Sequence, residues 1–435
     1  MIKSKWIQIS FIYSIFILAF AIPLPYIYGS AAAILMGVIW LLQVNFKHSL
    51  KNLLQRKALW TWLVFFILHV FGYFYSTNKA DASWDLGSKL CFFLLPIILG
   101  CSDNITEKSL ESLLLFFIAG VTFTGIYCIG HATIIYMHTK ATGQFFYNNL
   151  IEGLDANAVA ESWYTIFALI ILFFNKWKYH FANRSFIKMA LILFNVLFLI
   201  LLASKTLLIF LFVILMPIYI YQIYWNQKIP LFATCFTICC FLAAFLLVFY
   251  TQNPIKKRFS DVIDNNPKFG WQYSTIDSAG TSHFNNLTLR LFLWRVGYDN
   301  VKANNLWWYG AGIGDVHKLQ NKRMSDYGIK DIYNTNQPSA LHNINLHNMY
   351  LETLIMLGIP GLICLLIIFF QPLLNTNGLQ SKLVFALFFV VSILFMMQES
   401  ALQSQDGRIF YCFFNVVFWS LYYTRKREQQ GQPLL

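Results

Sequence analysis

The chain has 435 residues, of which 58% are hydrophobic, 18% are aromatic and only 12% are charged. Soluble domains carry about a quarter charged residues, so this composition excludes a water-soluble globular protein. The formal net charge of +13 would suit nucleic acid. However, the basic residues are concentrated in short segments beside apolar runs, a pattern that specifies membrane topology and predicts no nucleic-acid partner.

Long apolar runs predict an all-α integral membrane protein with about 12 transmembrane helices, each close to the roughly 20 residues that cross a bilayer. The predicted spans are 7–22, 26–44, 58–75, 89–100, 113–135, 158–174, 189–203, 206–224, 229–250, 348–370, 383–398 and 408–424. The run 189–225 is divided at Ser204-Lys205, because a charge is costly at the bilayer centre.

The N-terminus also resembles a signal peptide, because Lys3 and Lys5 precede an apolar stretch. An uncleaved first helix is preferred, since the second span follows directly after Pro23 and Pro25.

The distribution of basic residues predicts the sidedness of the spans. With the N-terminus inside, the cytoplasmic segments hold sixteen lysines and arginines, against five in the short outer segments. Both termini are therefore expected in the cytoplasm. Helices 1–9 occupy 1–250, an outward loop between spans 9 and 10 occupies 251–346, helices 10–12 occupy 347–424, and the tail is 425–435.

The outward loop is the largest polar part of the chain. Eleven basic residues against seven aspartates give it a net charge of +4, which suits either an anionic ligand or a plain solvated surface. Hydrophobic spacing in Leu287–Val301 predicts a partly helical loop, with an amphipathic helix there. The i,i+4 spacing puts Arg290 and Trp294 on one face of that helix. With Arg295 beside them, they are candidates for binding a diphosphate, or arginines that reach lipid head groups.

Gly310, Gly312 and Gly314 follow two tryptophans and a tyrosine. Their spacing differs from the dinucleotide-binding fingerprint, and no strand–helix unit surrounds them. They predict a tight turn or a close approach of the backbone to a ligand.

The segment that begins at His347 predicts a catalytic base. His347 lies where the loop re-enters the membrane, at the start of a helix, and can accept a proton from a sugar hydroxyl or simply cap the interface. Asn348 and Tyr350 follow as substrate-binding candidates, and a Gly-Ile-Pro-Gly sequence at 358–361 is expected to bend the helix and open a cavity. Lys205 is the third basic group expected at the outer surface, either in the same site or as a lysine reaching head groups.

These features together resemble the O-antigen ligase/polymerase family of bacterial envelope glycosyltransferases, and the resemblance covers the chain from about residue 190 onward. The elements that carry it are Ser204-Lys205-Thr206, Arg290-x-x-x-Trp294, the Gly310/Gly312/Gly314 run, His347-Asn348-x-Tyr350-Leu351-Glu352 and Gly358-Ile359-x-Gly361-Leu362.

The resemblance implies glycan transfer from undecaprenyl diphosphate to a sugar hydroxyl at the periplasmic face of the inner membrane. It implies that His347 activates the acceptor, while Arg290 and Lys205 hold the diphosphate. The family usually has arginine at the position of Lys205, and lysine keeps the charge but lacks the bidentate fork. The acceptor is lipid A–core in ligases and a second lipid-linked glycan in polymerases, and ligase is preferred.

No metal and no cofactor are expected, because the sequence contains no Asp-x-Asp or Asp-Asp and the outer acidic residues are scattered. A transporter or flippase is the alternative from another class. It would need ionisable groups deep within the spans and often inverted repeats. We find almost no such groups and no repeat in the sequence.

Overall fold

A computed structural model describes residues 2–103, 105–154, 156–177, 185–227, 286–329, 341–376, 379 and 381–430. These residues form helices joined by short connections, and none of them is in a strand. The predicted span 229–250 lies outside the described residues.

The α-helices are α1 (Ile2–Ala21), α2 (Tyr26–Gln43), α3 (Phe46–Gln55), α4 (Lys57–Tyr75), α5 (Lys79–Ser88), α6 (Cys91–Ile98), α7 (Glu107–Thr139), α8 (Asn148–Ile151), α9 (Ala158–Phe174), α10 (Ser185–Leu202), α11 (Lys205–Ile209), α12 (Met216–Gln227), α13 (Asn286–Ala303), α14 (Val316–Asp326), α15 (Met349–Leu374), α16 (Lys382–Met396) and α17 (Gln405–Gln429). A π-helical segment, Phe210–Leu215, joins α11 to α12.

Each predicted span within the described residues coincides with a helix. Among the residues that the structure describes, five helical segments are long and apolar enough to cross a membrane, or six if the pair that meets at 92° around residue 155 is one span. Further apolar helices at Trp6–Ala21, Phe186–Leu202 and Lys382–Met396 are shorter. The multi-helix membrane class is therefore confirmed, while the number of twelve spans stays a prediction.

Helix α9 lies at the centre of the bundle, and each of its residues from Glu161 to Phe174 is buried. Trp163 stacks on Phe395 of α16, with ring centroids 4.6 Å apart. It also meets Phe410 of α17 edge-on at 4.7 Å. Because lipid gives little hydrophobic drive for helices to associate, close packing of such side chains holds the bundle together.

The predicted bend at Gly358 is confirmed, but it does not open a cavity. Gly358 has φ +70° inside α15, and a Cβ there would lie 2.5 Å from the carbonyl of Trp308. Backbone of the 307–312 segment fills the bend, because Ile359 N–H donates to Trp307 O at 2.7 Å and Gly312 N–H donates to Met356 O at 3.1 Å. Because glycine has no side chain, the two backbone segments can approach each other this closely.

At one end of the bundle, Asp103 joins segments that the distribution of basic residues predicts to be cytoplasmic. Its carboxylate pairs with Arg56 at the start of α4 and lies 2.9 Å from Arg427 near the end of α17. Asn52 of α3 donates to the same carboxylate. Segments predicted on one side of the membrane therefore contact each other.

Candidate active site

The candidate site is a cavity of about 610 Å³ at the opposite end of the bundle. Its charged lining comes from the α10–α11 break, α13, the start of α15 and the connection after α16. The three predicted catalytic residues, Lys205, Arg290 and His347, all line it. The structure therefore brings together groups that lie up to 142 positions apart in the chain.

Lys205 is the first residue of α11, after a sharp break in the chain. Ala203 has φ +50° there, in the left-handed region that non-glycine residues rarely adopt. The adjacent Thr206 donates a hydrogen bond to the side-chain carbonyl of Gln398, which ties the break to the connection after α16. The break that the sequence predicted is confirmed, and it delivers Lys205 to the cavity wall.

Arg290 reaches the cavity from the second turn of α13, the helix predicted at 287–301. Its Nε donates to Gln398 O at 3.0 Å, and its Nη2 lies 2.5 Å from Glu399 Oε1. The side chain is 25% exposed. Its charge is therefore oriented by two fixed partners while part of the guanidinium faces the cavity.

His347 directly precedes Asn348, the N-cap of α15. Its backbone is strained, with φ +48°, and its N–H donates to Asn345 Oδ1 at 3.1 Å. The ring nitrogen Nδ1 lies 2.8 Å from Glu399 Oε2. One carboxylate thus contacts both the candidate base and the candidate diphosphate-binding arginine.

Glu399 was not among the residues that the sequence analysis selected. Burial alone would raise its pKa, but the hydrogen bond with His347 and the guanidinium of Arg290 hold the pKa of this carboxyl below its ordinary 4.5. The signal in the sequence was Gln398-Glu399-Ser400 at the outer end of a predicted span. An acidic residue at that depth is a functional-site hypothesis by default.

A buried scaffold holds the two connections that carry His347 and Glu399. Glu352 is 2% exposed, and its Oε2 accepts hydrogen bonds from Leu346 N at 2.8 Å and from Ser400 Oγ at 3.3 Å. Ser400 Oγ in turn accepts from Asn348 N at 3.1 Å. The residue before His347 and the residue after Glu399 are therefore both hydrogen-bonded to the Glu352 carboxylate.

A second wall of the cavity was also missed by the sequence analysis. Tyr147, Asn148 and Asn157 line it, and all three belong to the connection between α7 and α9. No motif marks this connection in the sequence, so only the tertiary structure identifies it.

The predicted substrate-binding residues divide into two groups. Trp294 lines the cavity. Arg295 pairs instead with Asp299 at 3.4 Å and lies 5.0 Å above the ring of Tyr327. Asn348 caps α15 by accepting from Leu351 N at 3.0 Å. Tyr350 donates to Ile393 O at 3.1 Å. A substrate-binding role for these last three stays a prediction.

The three glycines pack against other backbone segments. A Cβ on Gly310 would lie 2.4 Å from Met356 C, and one on Gly314 would lie 2.2 Å from Asn78 O; Gly312 pairs with Met356 as described above. Next to them, the Asp315 carboxylate accepts from the backbone N–H groups of Thr77 and Asn78 at 2.6 and 3.0 Å. Burial raises the pKa of Asp315, but these donors and the Thr77 hydroxyl hold it below its ordinary value. The glycine run thus anchors the loop to α4 and α15, and its predicted contact with a ligand stays a prediction.

Among the residues that the structure describes, no group of three or more histidine, cysteine, aspartate or glutamate side chains has the arrangement of a metal site. The expectation of a metal-independent site stays a prediction.

The helices and the cavity define a multi-span membrane protein with a charged site at one end of its bundle. Residues 189–366 match the family model described as O-antigen ligase. This match supports the O-antigen ligase/polymerase family that the sequence predicted, a class of glycosyltransferase-like enzymes whose substrates are lipid-linked glycans. No curated protein matches the chain.

Proposed function

We propose that the protein is an O-antigen ligase. It transfers a glycan from undecaprenyl diphosphate to a sugar hydroxyl of lipid A–core, at the periplasmic face of the bacterial inner membrane. The observation that carries this proposal is Glu399, whose two oxygens contact Arg290 and His347 in a cavity that Lys205 also lines. Each polar residue of that lining lies in a segment expected on the outer side or at the outer end of a predicted span.

The cationic residues suit the leaving group. As the bond from the anomeric carbon to the diphosphate oxygen breaks, negative charge develops on that oxygen, and fixed positive charges stabilise it. Arg290 uses two N–H groups for Gln398 and Glu399. A guanidinium has five such donors, so these two contacts leave three that suit phosphate oxygens. Lys205 supplies a second positive charge.

His347 suits the role of general base. When Nδ1 carries the hydrogen and donates it to Glu399, Nε2 keeps its lone pair. Nε2 accepts the proton of the acceptor hydroxyl while the acceptor oxygen bonds to the anomeric carbon. Undecaprenyl diphosphate leaves, and the proton stays on His347. Glu399 stabilises the imidazolium that results, much as a carboxylate does in hydrolase triads.

The polymerase is the alternative within the family, because the family match does not distinguish the two reactions. It would use the same residues with a second lipid-linked glycan as acceptor.

The proposal is tested with the full-length protein in proteoliposomes, supplied with undecaprenyl-diphosphate-linked glycan and with either acceptor. We expect glycan to appear on lipid A–core, and the rate to persist in EDTA because two cationic side chains replace a metal. Elongation of the lipid-linked glycan alone would identify a polymerase. Loss of transfer in EDTA would contradict the metal-independent mechanism, and no transfer to either acceptor would contradict both reactions.

A further inference from the structure

The wall formed by Tyr147, Asn148 and Asn157 has no role in the mechanism above. It belongs to a connection of short helical turns, with 3-10 turns at Thr142–Phe145 and Glu152–Leu154 around α8. Asn157 is the N-cap of α9. The three cavity-lining residues of this connection are electrically neutral, in contrast to Lys205, Arg290 and Glu399.

The backbone of this wall is fixed beside Lys205. Tyr147 has φ +57° and ψ −133°, a strained conformation for a residue with a side chain. Its N–H donates to Leu201 O at 3.0 Å, in the last turn of α10 before the Ser204 break. Strain of this kind persists where surrounding contacts determine it, and it often lies at ligand sites.

The chemistry of the wall suits hydroxyl groups. Each asparagine amide offers two donors and an acceptor carbonyl, so it can donate to one hydroxyl and accept from a neighbouring one. Asn157 uses its Oδ1 to cap α9, accepting from Val159 N at 2.8 Å, and this cap does not use its NH2 group. A tyrosine adds an apolar ring face with a polar tip.

We propose that Tyr147, Asn148 and Asn157 form a glycan subsite that binds the sugar ring attached to the diphosphate of the lipid-linked donor. This assignment rests on the proposed function. The diphosphate and its first sugar are joined by a single oxygen, so a donor held at Lys205 places that sugar next to the wall tied to Leu201. The subsite therefore distinguishes donors by their sugar, while the cations bind any polyprenyl diphosphate.

The test compares binding of two lipids to the purified full-length protein in nanodiscs, independently of turnover. One lipid is undecaprenyl diphosphate without sugar, and the other carries the glycan. The variants are Asn148→Ala and Asn157→Ser, since serine keeps an oxygen that caps α9 but lacks the amide NH2. Asn149→Ala is the matched control, because Asn149 is the next residue of α8 but lies outside the cavity lining.

We expect each subsite variant to weaken binding of the glycan-bearing lipid by about 3- to 10-fold, the loss of about one neutral hydrogen bond. The subsite variants should bind the sugar-free lipid within about two-fold of wild type, a change smaller than one such hydrogen bond. The Asn149→Ala control should bind both lipids within the same range. In the transfer assay, the KM for the donor should rise while that for the acceptor is unchanged.

Three results would overturn the subsite: equal weakening of both lipids, unchanged binding of the glycan-bearing lipid, or a rise only in the acceptor KM. These outcomes are separate from failure of the proposed function. If Asn148→Ala binds the glycan-bearing lipid with the same preference over the sugar-free lipid as wild type does, the subsite is wrong even where transfer occurs. If binding follows the expected pattern but no transfer occurs, the reaction is wrong and the subsite stands.

Discussion

Replacing His347 with alanine is expected to lower glycan transfer by about 10²- to 10⁴-fold, the range of a general base. The variant removes the group that accepts the proton of the incoming hydroxyl, but it leaves Lys205 and Arg290 in the cavity. Binding of undecaprenyl diphosphate should therefore stay close to wild type. The measurement is the initial transfer rate in proteoliposomes, alongside binding of the sugar-free lipid.

The matched control for this variant is His342→Ala. His342 lies five residues earlier in a similar His-Asn pair, is exposed, and approaches Asn321 at 3.4 Å rather than the cavity. It should transfer glycan at close to the wild-type rate. Full transfer by His347→Ala, or equal losses in both variants, would remove His347 as the base.

The second large effect is expected for Glu399→Gln, with transfer reduced by about 10²-fold or more, as when the carboxylate that orients a catalytic histidine is replaced by an amide. Glutamine has one acceptor oxygen where Glu399 uses two, and it carries no charge to pair with Arg290 or with the imidazolium. The loss should fall on kcat, because the cavity and both cations remain. Glu152→Gln, at an exposed position between α8 and α9, is the control.

The lowered pKa of Glu399 gives this variant a pH signature. A carboxyl whose folded-state pKa is depressed stabilises the fold above its ordinary value of 4.5, and this contribution is lost as pH falls through the lower folded value. The wild-type protein should therefore melt at a higher temperature than Glu399→Gln at neutral pH, and the difference should shrink on acidification below the ordinary pKa of 4.5. A difference in melting temperature that does not change with pH would contradict an ionised Glu399 paired with Arg290 and His347.

The sequence predicted those features of the fold that follow from moving backbone and charged groups out of water into lipid. Apolar runs must become helices in lipid because backbone groups have no other hydrogen-bond partners there, so the helices coincide with the runs. The break at Ser204 was predictable for the same reason, since Lys205 cannot remain at the bilayer centre. Side-chain partners across the bundle, by contrast, depend on tertiary packing that hydropathy does not encode.

The site was predicted in part, and the residues that were missed show why. Lys205, Arg290 and His347 were found because their motifs are local and all three lie on the predicted outer side. Glu399 was missed because it follows an apolar span and belongs to no motif; its position at the outer end of that span was a signal, but only the contact with His347 links it to the site. Tyr147 was missed because its cavity position depends on a hydrogen bond to a distant helix.

The glycines have the backbone conformations that the sequence predicted, and they pack against other segments of the protein backbone. Gly310 and Gly358 both have φ +70°, as a tight turn or a bent helix requires. The sequence does not reveal that these two positions pack against each other's segments, so a ligand and a cavity were expected where the structure has close backbone contact.

A density map of the full-length protein in nanodiscs with undecaprenyl diphosphate bound tests the central claim most directly. We expect the diphosphate to lie between Lys205 and Arg290, with the imidazole of His347 facing its bridging end and Glu399 still in contact with both Arg290 and His347. A diphosphate bound outside this cavity, or one that leaves His347 separated from it by other side chains, would contradict the account.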